Sequence, residues 1–286
     1  MRRSMLLAGS VRALRRLGLP VAAAATVCLA TAPSAAAIKA HGELLHLAPP
    51  HARANTNQST NWFGYNQGML EQGSKLFHSI TGDWTVPTAT QHTAGQGEYS
   101  SDWIGIGGGC IDAGCNATDS TLIQTGTEQD VSASGKASYS TWWEVIPGPS
   151  LKINMPVKAG DRVHASIAEL AANSDVWKIV IQDTTTGGSY TTTVPYSSTH
   201  ATAEWIEETP LIIGTNAGFA ALPNLTSPRF DLATTNGAPA QLKASEEMQL
   251  INSKGAVIGT PSAPDPDADG FNACTWATTC IAPSSS

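Results

Sequence analysis

Residues 136–146, KASYSTWWEVI, carry the pattern that decides the fold class. Tyr139 and Trp143 fall on one side of an extended chain and Trp142 and Glu144 on the other, which is the two-residue period of a β-strand. Aromatic and β-branched residues dominate the stretch, as they do on pleated surfaces that pack on one face or both. The stretch therefore predicts a β-strand.

The sequence on either side is made of similar short runs separated by turn residues. Two pairs of runs flank glycine-containing turns and predict hairpins, and residues 271–276 predict a last strand. The pairs are residues 176–182 with 190–194 and residues 151–155 with 162–168. Because no run of ten or more residues has a helical period, the sequence predicts an all-β antiparallel sandwich or barrel.

Composition excludes several classes of protein. The chain has 286 residues, of which 41% are hydrophobic and 14% charged, with a net charge of −7. It is too hydrophobic to be disordered throughout and too sparsely charged for a coiled coil. The negative charge argues against a nucleic-acid partner, which favours a surface rich in Lys and Arg.

The N-terminus has the three parts of a secretory signal peptide. Five Arg precede an apolar run at residues 17–30, and alanines at residues 35–37 offer a cleavage site. The run is shorter than the roughly 20 residues of a membrane-spanning helix. We therefore predict a signal peptide at residues 1–37, a pro-segment or linker at 38–58 and one domain at 59–286. The protein is expected to be secreted and free of the membrane after cleavage.

The predicted export determines how the cysteines are interpreted, because disulfides form in oxidising compartments. Cys28 leaves with the signal, and Cys110, Cys115, Cys274 and Cys280 remain as an even number in an oxidising compartment. Two local bridges, the first two cysteines together and the last two together, are the simplest of three connectivities. The C-x4-C and C-x5-C spacings have no nearby His, which disfavours zinc. No metal site is predicted.

The common catalytic signatures are absent. The sequence contains no Asp-Thr-Gly, Asp-Ser-Gly, G-x-S-x-G or H-E-x-x-H, and the four His after residue 58 are scattered. Residues 265–270, DPDADG, resemble the first half of a calcium loop. The twelfth position is Trp276 instead of a bidentate Glu, and Pro266 interrupts the loop. The pattern therefore predicts a solvated acidic turn.

Several polar residues are embedded in the aromatic strands. Gln124 alternates within TLIQTG at residues 121–126, and Glu144 shares a face with Trp142. In AEWIEE at residues 203–208, strand parity places Glu204 and Glu208 on one face and Glu207 on the other. Parity by itself does not say which face of each strand is solvated.

Six motifs together resemble a known family. In chain order they are NWFGY (61–65), WTVP (84–87), WIGIGG (103–108), LIQTG (122–126), WWE (142–144) and AEWIEE (203–208). Their order and spacing resemble the glutamic peptidases, also called eqolisins or family G1, which occur in fungi and bacteria. The resemblance extends from about residue 61 to residue 276.

The resemblance implies a β-sandwich of two curved sheets with a cleft on a concave face. It also implies an endopeptidase that works at acid pH and cleaves proteins or peptides without a metal or cofactor. We expect the protein to be a monomer. The family's catalytic Gln and Glu fall on Gln124 and Glu208. The cleft-lining positions fall on Trp62, Trp103 and Glu144, and Glu204 is expected beside the dyad as a further substrate contact. One departure is Gly107, where the family often has Asp, and it points to a shifted pH optimum or specificity.

Two other functions fit parts of the pattern. A jelly-roll glycoside hydrolase also places two carboxylates across a concave sheet, and Glu144 and Glu208 could form such a pair. A non-catalytic sandwich that binds carbohydrate or protein would use the same aromatic face without the dyad. Proteolysis at acid pH distinguishes the peptidase from both.

Overall fold

The computed structural model describes residues 44–45, 58–212 and 218–285. The predicted signal peptide and most of the predicted pro-segment lie outside these residues. The described chain is built of strands, with one short 3₁₀ helix at Ala244–Glu246. The strands are β1 Leu44–Leu45, β2 Gln58–Ser59, β3 Trp62–Gly68, β4 Ser79–Thr85, β5 Ala89–Thr90, β6 Ser101–Gly107, β7 Leu122–Val131, β8 Ala137–Val145, β9 Leu151–Ile153, β10 Arg162–Glu169, β11 Val176–Asp183, β12 Ser189–Pro195, β13 Thr202–Glu208, β14 Leu211–Ile212, β15 Gly218–Phe219, β16 Asn224–Leu225, β17 Arg229–Thr235, β18 Ala238–Pro239, β19 Glu247–Ile251, β20 Val257–Pro261 and β21 Phe271–Thr275.

Two antiparallel layers make up the fold. The site sheet has the order β3-β13-β6-β7-β8-β9, and the back sheet has the order β12-β11-β10-β4-β17. Strands β21, β20 and β19 join β17 of the back sheet to β3 of the site sheet. Short strands pair elsewhere, in a β1-β14-β15 sheet and a β16-β5 pair.

The main hydrophobic core lies between the two layers. It includes Ile104 and Trp205 from the site sheet and Ile80 and Ile167 from the back sheet, all fully buried. Polar contacts cross the same space, because the indole N–H of Trp205 donates to the Thr81 carbonyl at 2.8 Å. Apolar side chains from both sheets thus share one core, as in a β-sandwich.

A second, smaller apolar cluster lies on the opposite face of the site sheet. It contains Trp62, Trp103, Leu122, Trp142, Ile206 and Met248. Alternation along each strand sends one set of side chains to the main core and the next set to this cluster. Both faces of the site sheet therefore carry buried apolar side chains, which explains why aromatic residues occur at both odd and even positions of its strands.

Most of the predicted strands are confirmed, but one predicted hairpin is not. The strand at residues 136–146 is β8, the hairpin at residues 176–194 is β11 with β12, and the last predicted strand is β21. The hairpin between residues 151–155 and 162–168 is wrong. Strand β9 pairs with β8 in the site sheet, whereas β10 pairs with β4 and β11 in the back sheet. The intervening turn carries the chain from one layer to the other, which its local sequence does not reveal.

The predicted acidic turn is also corrected. Asp265 is only 4% exposed, so the turn is not simply solvated.

Both cysteine pairs form local bridges, Cys110–Cys115 and Cys274–Cys280, as predicted. Within the described residues, no helix is long and apolar enough to cross a membrane.

Candidate active site

The six predicted site residues all project from one face of the site sheet. They are Trp62 on β3, Trp103 on β6, Gln124 on β7, Glu144 on β8, and Glu204 and Glu208 on β13. Residues two or four apart on a strand share a face, and the pairing register aligns these positions between strands. All six residues are fully buried.

One row of residues crosses four strands of this face. Glu204 lies opposite Gly105, Gly105 opposite Gln124, and Gln124 opposite Glu144. The amide Nε2 of Gln124 donates to Oε2 of Glu144 at 3.2 Å. Because a carboxylate accepts from the amide nitrogen, this contact determines the orientation of the Gln124 side chain.

Glu208 lies four residues further along β13, opposite Ser101 on β6 and Trp62 on β3. Its Oε2 accepts from the indole N–H of Trp103 at 2.8 Å, and its Oε1 accepts from the amide of Asn61 at 3.3 Å. Two neutral donors stabilise the ionised form of a carboxyl group. Asn61, the first residue of the NWFGY motif, is a site residue that the sequence reasoning did not single out.

Trp103 lies between Gln124 and Glu208 on the same face. A Cβ on Gly105 would come within 2.9 Å of the Trp103 ring, and a Cβ on Gly126 would come within 2.6 Å of the Trp103 Cβ. Glycine at both positions therefore makes room for the indole. The Trp62 ring packs edge-on against it, with ring centroids 4.8 Å apart. The two tryptophans form an apolar floor beside the Glu208 carboxyl group.

Glu204 is a fully buried acid on the same face of the site sheet. Burial raises the pKa of the Glu204 carboxyl well above its usual range, and the charge of Asp119 raises it further. Thr202 and the backbone of Gly109 offset only part of this shift. Glu204 is therefore held in the protonated, neutral form over the acid range.

Behind this face, on the core side of the same strands, a second set of acids meets. Gln129 donates from Nε2 to Asp102 at 3.2 Å and to Glu207 at 3.1 Å, and all three side chains are fully buried. Burial raises the pKa values of both acids, and the charge of Asp102 raises the pKa of Glu207 further. Parity predicted that Glu207 lies on the face opposite Glu204 and Glu208, but its contact with Asp102 could not be predicted from either stretch alone.

The departure at residue 107 has a structural cause. Gly107 has φ +94°, a left-handed conformation that favours glycine. A Cβ added there would lie 2.0 Å from the carbonyl oxygen of Thr121. An Asp side chain therefore does not fit at this position without a change in the backbone. Asp119, two residues before Thr121, is the acid whose charge acts on Glu204.

Among the described residues, two groups of side chains have the donor atoms to hold a metal ion. They are His78 with Glu169 and His200, and Asp231 with Asp265 and Asp269. Neither group includes Gln124 or Glu208.

Residues 60–267 match the family model described as the Peptidase A4 family. The match covers well over half of the chain, and the chain therefore belongs to this family, the glutamic peptidases of family G1. The protein is a glutamic endopeptidase with protein or peptide substrates. Family membership favours the predicted peptidase over the two alternatives, a glycoside hydrolase and a non-catalytic binding sandwich. No curated protein sequence matches the chain.

Solved structures share the fold. Scytalido-glutamic peptidase with a transition state analog inhibitor is 16% identical, with a TM-score of 0.59, over 76% of this chain and 98% of that one. The same peptidase with a peptide-based transition state analog is 17% identical, with a TM-score of 0.56 and the same coverage. SCP-B, a member of the eqolisin family, in complex with the tripeptide Ala-Ile-His, is 16% identical over the same shares, with a TM-score of 0.53. These likenesses confirm the predicted β-sandwich.

Proposed function

We propose that the protein is a secreted endopeptidase that hydrolyses peptide bonds in acid with Gln124 and Glu208 as its catalytic dyad. The observation that carries the proposal is the shared face of the site sheet. Gln124 and Glu208 project from it on either side of Trp103, and each is held by a polar neighbour. The resemblance to family motifs selects the same two positions.

Glu208 is proposed as the group that moves the proton. As a carboxylate it takes a proton from the attacking water, and as an acid it returns that proton to the leaving amine. Trp103 and Asn61 donate to the two oxygens of the Glu208 carboxyl group and hold it in position. A free Glu titrates near 4.3, so a base of this kind operates in the acid range.

Gln124 is proposed as the group that polarises the substrate carbonyl. A carboxamide does not titrate, so its N–H donors act on the developing oxyanion at any pH. Glu144 orients the amide through its contact with Nε2. Loss of one such donor typically lowers the rate by about 10²–10³-fold. Trp62, Trp103, Glu144 and Glu204 are proposed to contact the substrate around the dyad.

Glu204 is the competing candidate for the catalytic carboxyl, because only Gly105 separates it from Gln124 across the row. The family motif favours Glu208, and two donors hold its carboxyl group in place. Burial raises the pKa of the Glu204 carboxyl, which suits a neutral hydrogen-bond donor.

The test is a set of single variants assayed on a denatured protein substrate at about pH 3–5. We expect Gln124→Ala to lose about 10²-fold or more in kcat/KM and Glu208→Gln to lose nearly all activity. Glu204→Gln is expected to retain most of it, since an amide keeps a hydrogen-bonding group there. Glu71→Gln, in a loop outside the site, is the control. Near-wild-type cleavage by Gln124→Ala or Glu208→Gln would disprove the dyad, and loss confined to Glu204→Gln would transfer the base role to Glu204.

We also propose that residues 1–37 are removed on export and residues 38–58 on maturation. We expect processing to precede activity, because the family resemblance includes a pro-segment. Mass spectrometry of the secreted protein, before and after incubation in acid, reads the N-terminus directly. A fully active protein that begins at residue 38 would contradict the pro-segment.

A further inference from the structure

Three aspartates meet where the back sheet joins its connecting strands. Asp231 lies on β17, and Asp265 and Asp269 lie in the loop that leads into β21. One carboxylate oxygen from each lies within 4.8 Å of the others. Asp231 and Asp265 are each only 4% exposed. Within the described residues, the one ion pair to this cluster joins Arg229 Nη2 to Asp231 Oδ2 at 2.9 Å.

One oxygen of the most buried loop aspartate lacks a partner. Oδ1 of Asp265 accepts the backbone N–H groups of Asp269 and Gly270, each at 3.1 Å. Its Oδ2 is buried without a hydrogen bond, and so is Oδ1 of Asp269. A buried carboxylate oxygen with no donor is costly unless a cation balances it.

The Asp265 Oδ2 atom points towards the cluster. A Cβ added to Gly270 would lie 2.6 Å from this oxygen and 3.1 Å from Oδ1 of Asp231. A side chain at residue 270 would therefore occupy the space between the two carboxylates. Glycine leaves that space to a ligand of atomic size.

The donor set identifies the class of ligand. All three side chains offer carboxylate oxygens, which suit a hard cation, and no nitrogen or sulfur donor belongs to the group. The loop repeats the D-x-D-x-D-G spacing, in which the first Asp also accepts N–H groups from the far end of the loop. A calcium loop of this kind needs a further carboxylate, which Trp276 at the twelfth position cannot supply. Asp231 supplies it from the neighbouring strand.

We propose that Asp231, Asp265 and Asp269 bind a calcium ion, with backbone carbonyls and water completing its coordination. The ion joins β17 of the back sheet to the loop that enters β21. Its effect is therefore on stability, and the site is independent of the dyad. Without a bidentate Glu in the loop, we expect a dissociation constant of about 10⁻⁴–10⁻³ M, as in extracellular modules.

The first experiment measures binding to the full chain. Protein dialysed against EGTA at pH 7 is titrated with CaCl₂ in a calorimeter, and its thermal unfolding is followed with and without CaCl₂ at constant ionic strength. We expect one saturable site, and a rise in Tm of roughly 5–10 °C at about 100 times the dissociation constant. MgCl₂ is expected to give a smaller rise, because Mg²⁺ demands a tighter octahedral site.

The second experiment uses variants that remove charge but keep shape. Asp265→Asn and Asp269→Asn are expected to weaken calcium binding at least about tenfold. In EGTA, Asp269→Asn is expected to unfold at the same or a higher temperature than the wild type, because it relieves repulsion between carboxylates. Asp175→Asn, in an exposed loop, is the control with unchanged binding.

Either of two results would overturn the proposal. One is the absence of saturable calcium binding by the wild type up to about 10 mM. The other is binding that both cluster variants retain unchanged. If Asp265→Asn does not fold, Asp269→Asn still decides, because Asp269 is only partly buried.

Discussion

The indole N–H of Trp103 donates a 2.8 Å hydrogen bond to Oε2 of Glu208. Trp103 lies opposite Ile206, so the bond reaches diagonally from β6 to β13. Diagonal neighbours in a sheet are about 7–8 Å apart, a distance that a tryptophan side chain can span. One aromatic residue therefore forms part of the floor of the candidate cleft and also stabilises its carboxylate.

Substitution of Trp103 by Phe keeps most of the ring and removes the donor. Because hydrogen bonds to charged groups contribute about 1.5–3 kcal/mol, we expect kcat/KM to fall roughly 10–100-fold. The acidic limb of the pH–rate profile is expected to move to higher pH, since the carboxylate loses stabilisation. Profiles measured from pH 2 to 7 check both effects.

The matched control is Trp177→Phe. This change removes an indole N–H that donates to the Tyr196 carbonyl at 2.9 Å, in the back sheet. We expect lower stability but an unchanged pH–rate profile. A profile that shifts equally in both variants would mean that Trp103 acts only through packing.

A comparison of two glycines with similar backbone angles distinguishes the cost of backbone strain from the cost of a steric contact. Gly107 has φ +94° and Gly160 has φ +86°. An added Cβ meets the Thr121 carbonyl at 2.0 Å in the first case and nothing within 4 Å in the second. Gly160→Ala should lower the free energy of unfolding by about 1–2 kcal/mol from strain alone. Gly107→Ala should cost clearly more, because the carbonyl must also move.

Urea unfolding of both variants measures these costs. Equal destabilisation would show that the contact with Thr121 relaxes without cost. In that case the absence of Asp at residue 107 would have no steric cause.

The buried acids behind the site predict a protein that is stable in acid. The folded pKa values of Asp102 and Glu207 lie above their ordinary values, chiefly because of burial. The folded state therefore holds protons that the unfolded state has released. Their contribution is fully present below about pH 4 and is lost as the pH rises through the raised values. We expect the free energy of unfolding to fall by several kcal/mol between pH 4 and pH 8.

Glu207→Gln tests the cause of this dependence. An amide keeps the shape and cannot ionise, so the variant is expected to flatten the decline above pH 4. Asp175→Asn should leave the pH dependence as it is in the wild type. Wild-type stability that peaks near neutrality and collapses by pH 4 would contradict the prediction.

Glu169 has the opposite effect on the pH dependence of stability, because its contribution is lost in strong acid. Burial alone would raise the pKa of Glu169, but a hydrogen bond from His78 and the N–H groups of Asp175 and Asn173 lower it to about 2. Its contribution to stability is therefore present above about pH 4.5 and is lost as the pH falls towards 2. Glu169→Gln is expected to be less stable than the wild type at pH 5 and to approach it near pH 2. A constant difference across this range would indicate a packing effect.

Local features of the sequence determined the strands and the positions on their faces. The alternation at residues 136–146 was sufficient for β8, and parity alone separated Glu207 from Glu204 and Glu208. The order of the six motifs identified the family and selected the dyad positions. The strand and family predictions are confirmed because a two-residue period and a motif are properties of neighbouring residues, and the dyad stays a prediction.

Only the tertiary structure decided which distant strands are neighbours. It placed β9 and β10 in different layers, although a turn signal lies between them. It placed Asp102 close to Glu207. It also placed Asp231 beside Asp265 and Asp269, where it supplies the carboxylate that the loop itself does not contain. Pairing between strands depends on burial and hydrogen bonds between residues far apart in the chain, and a local pattern contains no record of those contacts.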